Sequence, residues 1–419
     1  MRPFSYINGQ LYCEEVPAET IARDVGTPAY VYSASGILQQ YRNARNAFPD
    51  ALICFSVKAN SNGALLRLLA QEGSGFDVVS QGELARVIAA GGSAEKTVFA
   101  GVGKSDKEIR YALDAGILTF NVESLEELWN IGRIAQEIGT KAPVCLRINP
   151  DVDAGAHSHI STGKHGVKFG MDLEQALSAL DELPRHPGLR LAGVHMHLGS
   201  QILSTEPYVS AIREVGRLVP VAAEKGFELE YFNIGGGYGI DYTGDGAPSF
   251  QDFADAIRPE VARFGLKLIV EPGRSIVGNN GILLTQVLYV DRSGGRSFVI
   301  CDAGMNDLIR PVLYDAYHRI WPTTADHERP SEDDAPVDVV GPVCETGDFF
   351  AHDRKLPPVN RDDILAIFGA GAYSFAMSSN YNSRPRPCEV LANCHTYALV
   401  RKREALEDLT RGEVTADGP

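Results

Sequence analysis

The chain has 419 residues, of which 44% are hydrophobic and 22% charged, and a formal net charge of −15. That length exceeds one barrel-sized domain, so a second domain with its own core is expected. The acidic balance argues against a nucleic-acid partner, whose footprint would be clustered Lys and Arg, and no apolar run approaches the length of a membrane span.

In chain order, Met1 leads into a polar stretch without a signal-peptide apolar segment, which makes a cytoplasmic protein the expectation. Tyr6 to Glu14 reads as two short extended pieces around Asn8-Gly9, a dipeptide suited to a tight hairpin turn. Eight short apolar runs follow: ALICFSVKAN (51–60), GFDVVS (75–80), TVFAG (97–101), LTFNV (118–122), PVCLRIN (143–149), LAGVHMHLGS (191–200), YFNIGGG (231–237) and KLIVEPGRS (267–275). Segments between them, such as NGALLRLLAQEG and SLEELWNIGRIAQEIG, repeat apolar residues at three and four and stop at Gly, the mark of helices.

Alternating strands and helices imply parallel strands, because a helix must return the chain before the next strand starts in the same direction. Eight such units fit a (β/α)8 TIM barrel, whose reacting groups gather where strands end and βα loops begin. An open doubly wound sheet is the alternative, weakened by the lack of a Gly-rich first βα turn. After Gly278 the runs GILLTQVLYV, RSFVICDAG, VDVVGPV, DILAIFG and EVLANCHTYALV lack helical spacing and favour β-branched residues. The expected architecture is a barrel over 30–278, inserted into a β-sandwich or barrel-like domain made of 1–29 and 279–419. Segment 324–336 reads as a polar surface excursion, and the tail after Asp408 as frayed.

Several run ends carry chemistry. Lys58 is a nucleophilic amine if buried, or a lysine that snorkels out of the barrel mouth. Gly235, Gly236 and Gly237 follow a strand and would let backbone N–H groups approach a phosphate, although a lone Gly triplet is more often a turn. Glu271 opens Glu-Pro-Gly-Arg at the end of the eighth run, where a carboxylate could hold a pyridine nitrogen protonated, and a structural ion pair with Arg274 is the plainer alternative. His195 and His197 alternate on one strand, but no further ligands with zinc spacing accompany them, so no metal is expected. The Gly-containing segment 151–170, with His157, His159 and His165, reads as a lid or binding loop, and its Ser161-Thr162-Gly163-Lys164 lacks the flanking residues of a P-loop. Cys344, beside Glu345 in GPVCETGD, could donate a proton. The seven cysteines are scattered and odd in number, and the other six suit inert reduced thiols. Cys388 and Cys394 with His395 could suggest a metal site, but the alternation in EVLANCHTYALV favours a strand.

Taken in order, FSVKAN, FDVVSQGE, RINPDVDAGAHSHISTGKHGVKFG, HLGSQ, GGGYG, EPGRS, GPVCETGD and NYNSRPRP resemble the diaminopimelate decarboxylase family, of the alanine racemase-like fold type III of pyridoxal phosphate enzymes. The resemblance covers nearly the whole chain. It implies decarboxylation of meso-2,6-diaminopimelate to L-lysine and CO2, with pyridoxal 5'-phosphate bound covalently to Lys58. It further implies that His197 stacks on the cofactor ring, that Glu271 pairs with its nitrogen, and that Asp77, Glu83 and Arg147 support the ring. Phosphate would be held by Ser200, by glycines 235–237, by Gly273 and Arg274, and by Tyr373. Arg274, Arg310 and Tyr314 would take the distal carboxylate and Glu345 the distal amine, with Tyr373 nearby and Cys344 as proton donor. A homodimer with active sites shared between chains is implied as well. The alternatives are a related decarboxylase acting on another carboxylated amine or carrier-bound amino acid, an amino acid racemase, and a non-catalytic carrier of the cofactor. A racemase normally places a basic residue where Glu271 stands, and a carrier lacks the long C-terminal β segment.

Overall fold

A computed structural model describes residues 3–152 and 168–414. Two compact units result, one of Leu38–Ile240 and Gly246–Ile276, the other of Met1–Ile37, Asp241–Asp245 and Val277–Pro419. His157, His159, His165 and the 161–164 tetrapeptide of the expected lid lie outside the described residues.

The first unit is a closed barrel of eight parallel strands, Leu52–Ser56, Gly75–Val78, Thr97–Phe99, Thr119–Val122, Ala142–Arg147, Leu189–His195, Tyr231–Asn233 and Lys267–Val270. Each strand lies within one of the eight apolar runs or within a residue or two of it. The returning helices start where the sequence offers side-chain caps. Ser80 accepts from the Glu83 N–H, and Ser105 with Glu108, Asp172 with Gln175 and Ser249 with Asp252 form reciprocal capping boxes. Low in the barrel, Cys54, Val98 and Ile269 pack together in one buried cluster. Two residues further along the first and eighth strands, on the same face by strand periodicity, come Ser56 and Glu271, so the interior turns polar toward the strands' C-terminal ends.

The second unit is β-rich. Its nine-stranded sheet runs through Phe349–Leu356, Ala335–Val340, Arg296–Cys301, Gly281–Ser293, Ala29–Ser33, Cys388–Asn393 and Thr396–Arg401, with Ile364–Ile367 pairing Gly281–Ser293 and Ile320–Pro322 beside it. Phe4–Ile7 and Gln10–Cys13 form the expected hairpin, with Asn8 and Gly9 both at positive φ as a tight turn of this kind requires. Leu11, Val31, Ile282, Leu284, Ala366 and Val390 belong to one buried core.

Three local expectations are corrected. The strand Ala29–Ser33 pairs with Gly281–Ser293 and Cys388–Asn393, so the boundary between units falls at 37/38 instead of 29/30. EVLANCHTYALV is not one strand but a hairpin that turns at Cys394, φ +51°. Lys58 does not end its strand; it lies in a 3-10 turn, Val57–Ala59, just past it. Among the described residues, no helix is long and apolar enough to cross a membrane.

Candidate active site

At the C-terminal rim of the barrel the Lys58 ammonium lies 2.9 Å from Asp77 Oδ2. The Ser56 hydroxyl is 2.7 Å from the same oxygen and 3.0 Å from the Glu271 carbonyl. Asp77 is fully buried and its Oδ1 has no hydrogen-bond partner among the described residues. Burial pushes its carboxyl up, against the opposing pull of Lys58. Gly273 suits the closeness of this corner: a Cβ there would sit 3.0 Å from Ser56 Cβ and 3.1 Å from Ala59 Cβ, tight enough that the Pro-Gly turn and the lysine turn would have to give by a few tenths of an ångström.

Glu271 is buried opposite. Its Oε1 accepts from the side-chain amides of Asn121 at 3.1 Å and Asn233 at 2.6 Å, while Oε2 lies 3.6 Å from His195 Nε2. Burial alone would raise this carboxyl, but His195, Lys58 and Asn233 outweigh it and hold it down at about 2. The His195 ring is 1% exposed, and neither of its nitrogens has a hydrogen-bond partner among the described residues. On the next loop, close packing around His197, then the charges of Lys58 and Arg147, push that imidazole well below its usual value.

Arg147 ends the fifth strand and points its Nη1 at both oxygens of Glu123, 2.8 and 3.0 Å away. Its Nη2 is buried without a hydrogen-bond partner among the described residues. Glu123 is fixed in turn by the N–H groups of Gly101 and Gly170, both at 3.0 Å. Burial pushes the Glu83 carboxyl up to about 7 although the Val79 N–H donates to it at 2.8 Å. A carboxyl raised from 4.5 in the folded state binds more protons folded than unfolded, so it costs stability as pH rises through that window. Glu83→Gln in the cofactor-free protein is therefore expected to flatten the fall in stability between pH 5 and 8, by on the order of 1 kcal/mol in denaturant titrations. A variant and parent with parallel pH profiles would contradict the burial of this group.

The glycine triplet is a close-packing device as well as a loop. A Cβ on Gly236 would meet the Glu271 carbonyl at 2.0 Å, and Gly235 and Gly237 take positive φ with Cβ positions 2.6 and 2.4 Å from neighbouring carbonyl oxygens. The N–H groups of Gly235 and Gly236 donate within the protein, to Asn233 Oδ1 and His197 Nδ1. Beside them Arg274 Nη2 donates to Ser200 Oγ at 2.9 Å, and the buried Ser275 Oγ has no partner among the described residues. A rim with these unsatisfied polar atoms, an amine and a buried carboxylate fits an anionic, nitrogen-containing aromatic cofactor.

The other residues singled out from sequence lie in the β unit. Arg310 opens the short helix Arg310–Tyr314 and is 5% exposed, with its guanidinium 4.9 Å from the Tyr242 ring centre. Cys344 is exposed and donates its N–H to Asn382 Oδ1, while the Tyr381 hydroxyl donates to Glu345 at 3.2 Å. The turn bearing Cys344 and Glu345 is pinned by the buried Asp348, which accepts the N–H groups of Val343 and Met305 at 2.6 Å each. Tyr373 adopts φ +55°, unusual for a bulky residue and a sign of local constraint. Sequence reasoning passed over Asn121, Asn233, Glu123, His318 and Asp348. The signal for the two asparagines was an amide inside an otherwise apolar strand.

Comparison with known proteins agrees with this picture. Residues 34–278 match the family described as "Pyridoxal-dependent decarboxylase, pyridoxal binding domain". The diaminopimelate decarboxylase of Aquifex aeolicus (strain VF5) is 47% identical over 400 residues, 95% of this chain and 94% of that protein. That of Pseudomonas aeruginosa is 46% identical over 421 residues, 99% of each. Among solved structures, diaminopimelate decarboxylase from Helicobacter pylori complexed with L-lysine superposes with a TM-score of 0.89 at 43% identity, covering 94% of this chain and 98% of that one.

Proposed function

The chain belongs to the diaminopimelate decarboxylases, and from that premise we infer how its own residues carry out the pyridoxal phosphate-dependent conversion of meso-2,6-diaminopimelate to L-lysine and CO2. The observation that carries the reading is the pairing, at one barrel mouth, of an amine on Lys58 with a fully buried, ionised Glu271. Pyridoxal phosphate supplies a carbonyl that captures the substrate amine and a ring that accepts the electron pair left when the carboxylate departs.

Lys58 is the covalent anchor, and Asp77, 2.9 Å away, holds and neutralises its ammonium before attachment. Glu271, kept anionic by the amides of Asn121 and Asn233 and by His195, is suited to hold a proton on the cofactor's ring nitrogen. His197, kept neutral by burial and by the charges of Lys58 and Arg147, would stack on the ring. Ser200, Gly235, Gly236, Gly237, Gly273, Arg274 and Tyr373 cradle the phosphate. Among the glycines that role falls mainly on the Gly237 N–H, because the other two N–H groups are engaged within the protein. Arg147, at the end of the fifth strand, and Glu83, in the first turn of the helix Gln81–Ala89, would support the ring.

Arg274, Arg310 and Tyr314 bind the distal carboxylate and Glu345 the distal ammonium, since a planar fork suits a carboxylate and a carboxylate suits an ammonium. The Cys344 thiol delivers a proton from Sγ to the carbon that has lost CO2. We assign a homodimer in which Cys344 and Glu345 serve the partner's barrel, and a cytoplasmic location. The decisive test is product analysis after incubating protein and cofactor with meso-diaminopimelate. L-lysine and CO2 in equal amounts are expected, whereas turnover of only a diamino acid without the second carboxylate would overturn the assignment.

Specificity gives a further expectation. Arg310→Ala should lower kcat/KM for meso-diaminopimelate by about 30-fold or more, while D-lysine, which lacks the distal carboxylate, loses far less. Equal losses on both would make Arg310 structural.

A further inference from the structure

Within the β unit, Arg310 is held by a residue that no motif marks. His318 is 0% exposed, and its two ring nitrogens have partners of opposite kind. Nδ1 lies 2.7 Å from the Phe368 carbonyl oxygen and Nε2 lies 2.8 Å from Arg310 Nη1. A carbonyl oxygen only accepts and a guanidinium only donates, so Nδ1 must carry the proton and Nε2 must offer its lone pair. That fixes both the tautomer and the charge: a doubly protonated ring would point an N–H at the guanidinium.

The ring has little freedom to turn away from this geometry. The strands Ile320–Pro322 and Ile364–Ile367 pair with Ile320 opposite Ile367, and the Phe368 N–H donates to the Arg319 carbonyl at 2.8 Å, so the Phe368 carbonyl and the His318 backbone share one frame. Arg354 adds a donation of 2.6 Å to the His318 carbonyl. The Tyr242 ring meets His318 edge-on, 5.6 Å between centres at 74°, and lies under the Arg310 guanidinium. One face and one edge of the guanidinium are thus set by Tyr242 and by His318.

We propose that His318 is a positioning residue for substrate selection: its neutral ring fixes the plane of the Arg310 guanidinium and so sets the preference for a diamino acid carrying a second carboxylate. A neutral acceptor orients the fork without cancelling its charge, which an aspartate in the same place would do. The proposal rests on the reading of Arg310 as the clamp for the distal carboxylate.

The test uses the holoenzyme with three substitutions, His318→Phe, His318→Gln and His318→Asn, assayed on meso-diaminopimelate and on D-lysine beside Arg310→Ala. Phe keeps the ring volume but loses the acceptor; KM for meso-diaminopimelate is expected to rise about tenfold or more, with kcat changed by less than about threefold and D-lysine little affected. A Gln amide oxygen reaches the Nε2 position and should restore most of the preference. Asn reaches only the Nδ1 side, so it should behave like Phe. Nitrogen NMR of the labelled wild-type protein should show the buried ring protonated at Nδ1 alone. Equal losses on both substrates in His318→Phe, equivalent Gln and Asn variants, or a ring protonated at Nε2 would each overturn the proposal. If Arg310→Ala also fails to separate the two substrates, the fault lies in the reading of Arg310; if it separates them and His318→Phe does not, the fault lies in the role given to His318.

Discussion

Lys58→Ala is expected to lower kcat/KM by on the order of 10^4-fold and to leave the cofactor without covalent attachment, while the barrel stays folded. The loss follows from the role proposed for the lysine, the covalent anchor that hands the cofactor to the substrate amine. The fold should survive because the side chain is one-third exposed and its removal opens no core cavity. The remaining risk is the buried Asp77, which loses its counter-charge. Burial already pushes its carboxyl up against the pull of Lys58, so removing that pull raises it further and favours the uncharged form over a naked buried charge. Borohydride reduction of the wild-type holoenzyme, followed by peptide mapping, should place the cofactor on the peptide containing residue 58, and the variant should lose the label. Label recovered on another lysine would end the assignment. So would a variant that keeps the linkage.

The barrel was legible because its signals are local. Each strand is a short apolar run, and each helix begins at a side chain able to cap it, as at Ser80, Ser105 and Ser249. What escaped was non-local. Ala29–Ser33, buried at all five positions, has the pattern of a central strand in either unit, and only its distant partners, Gly281–Ser293 and Cys388–Asn393, decide which. Phe349–Leu356 hides for the opposite reason: its His-Asp-Arg-Lys stretch looks like loop, yet charged residues are the usual dress of a strand at the end of a sheet.

The site divides in the same way. Lys58, Glu271 and the glycine triplet stand at run ends, where barrel geometry already puts chemistry, so residue type and position were enough to make them candidates. The second layer depends on which way a side chain turns. Nothing in LTFNV says that Asn121 faces inward to meet Glu271, and nothing near His318 announces a carbonyl acceptor 50 residues away. The triplet shows the converse limit: its composition suggests three donors for a phosphate, while the folded chain engages two of them itself.

Subunit exchange should restore activity to two inactive variants. Lys58 belongs to the barrel unit and Cys344 to the β unit, where Cys344 is exposed on a turn pinned by Asp348. If the β unit of one chain serves the barrel of its partner, Lys58→Ala and Cys344→Ala homodimers are each poorly active, since every site lacks either the anchor or the proton donor. In a mixed dimer one site combines both lesions and the other combines the two intact parts. Random assortment makes half the dimers mixed, and one of two sites in each is whole, so activity should recover to about a quarter of wild type. That is a rise of about 25- to 2,500-fold over the Cys344→Ala parent, if loss of the proton donor costs about 10^2- to 10^4-fold. Exchange is checked independently by giving the two variants different tags and recovering both in one pull-down. Tagged mixed dimers without recovered activity would show that each chain completes its own site, whereas a site completed in trans requires the quarter to appear as exchange proceeds.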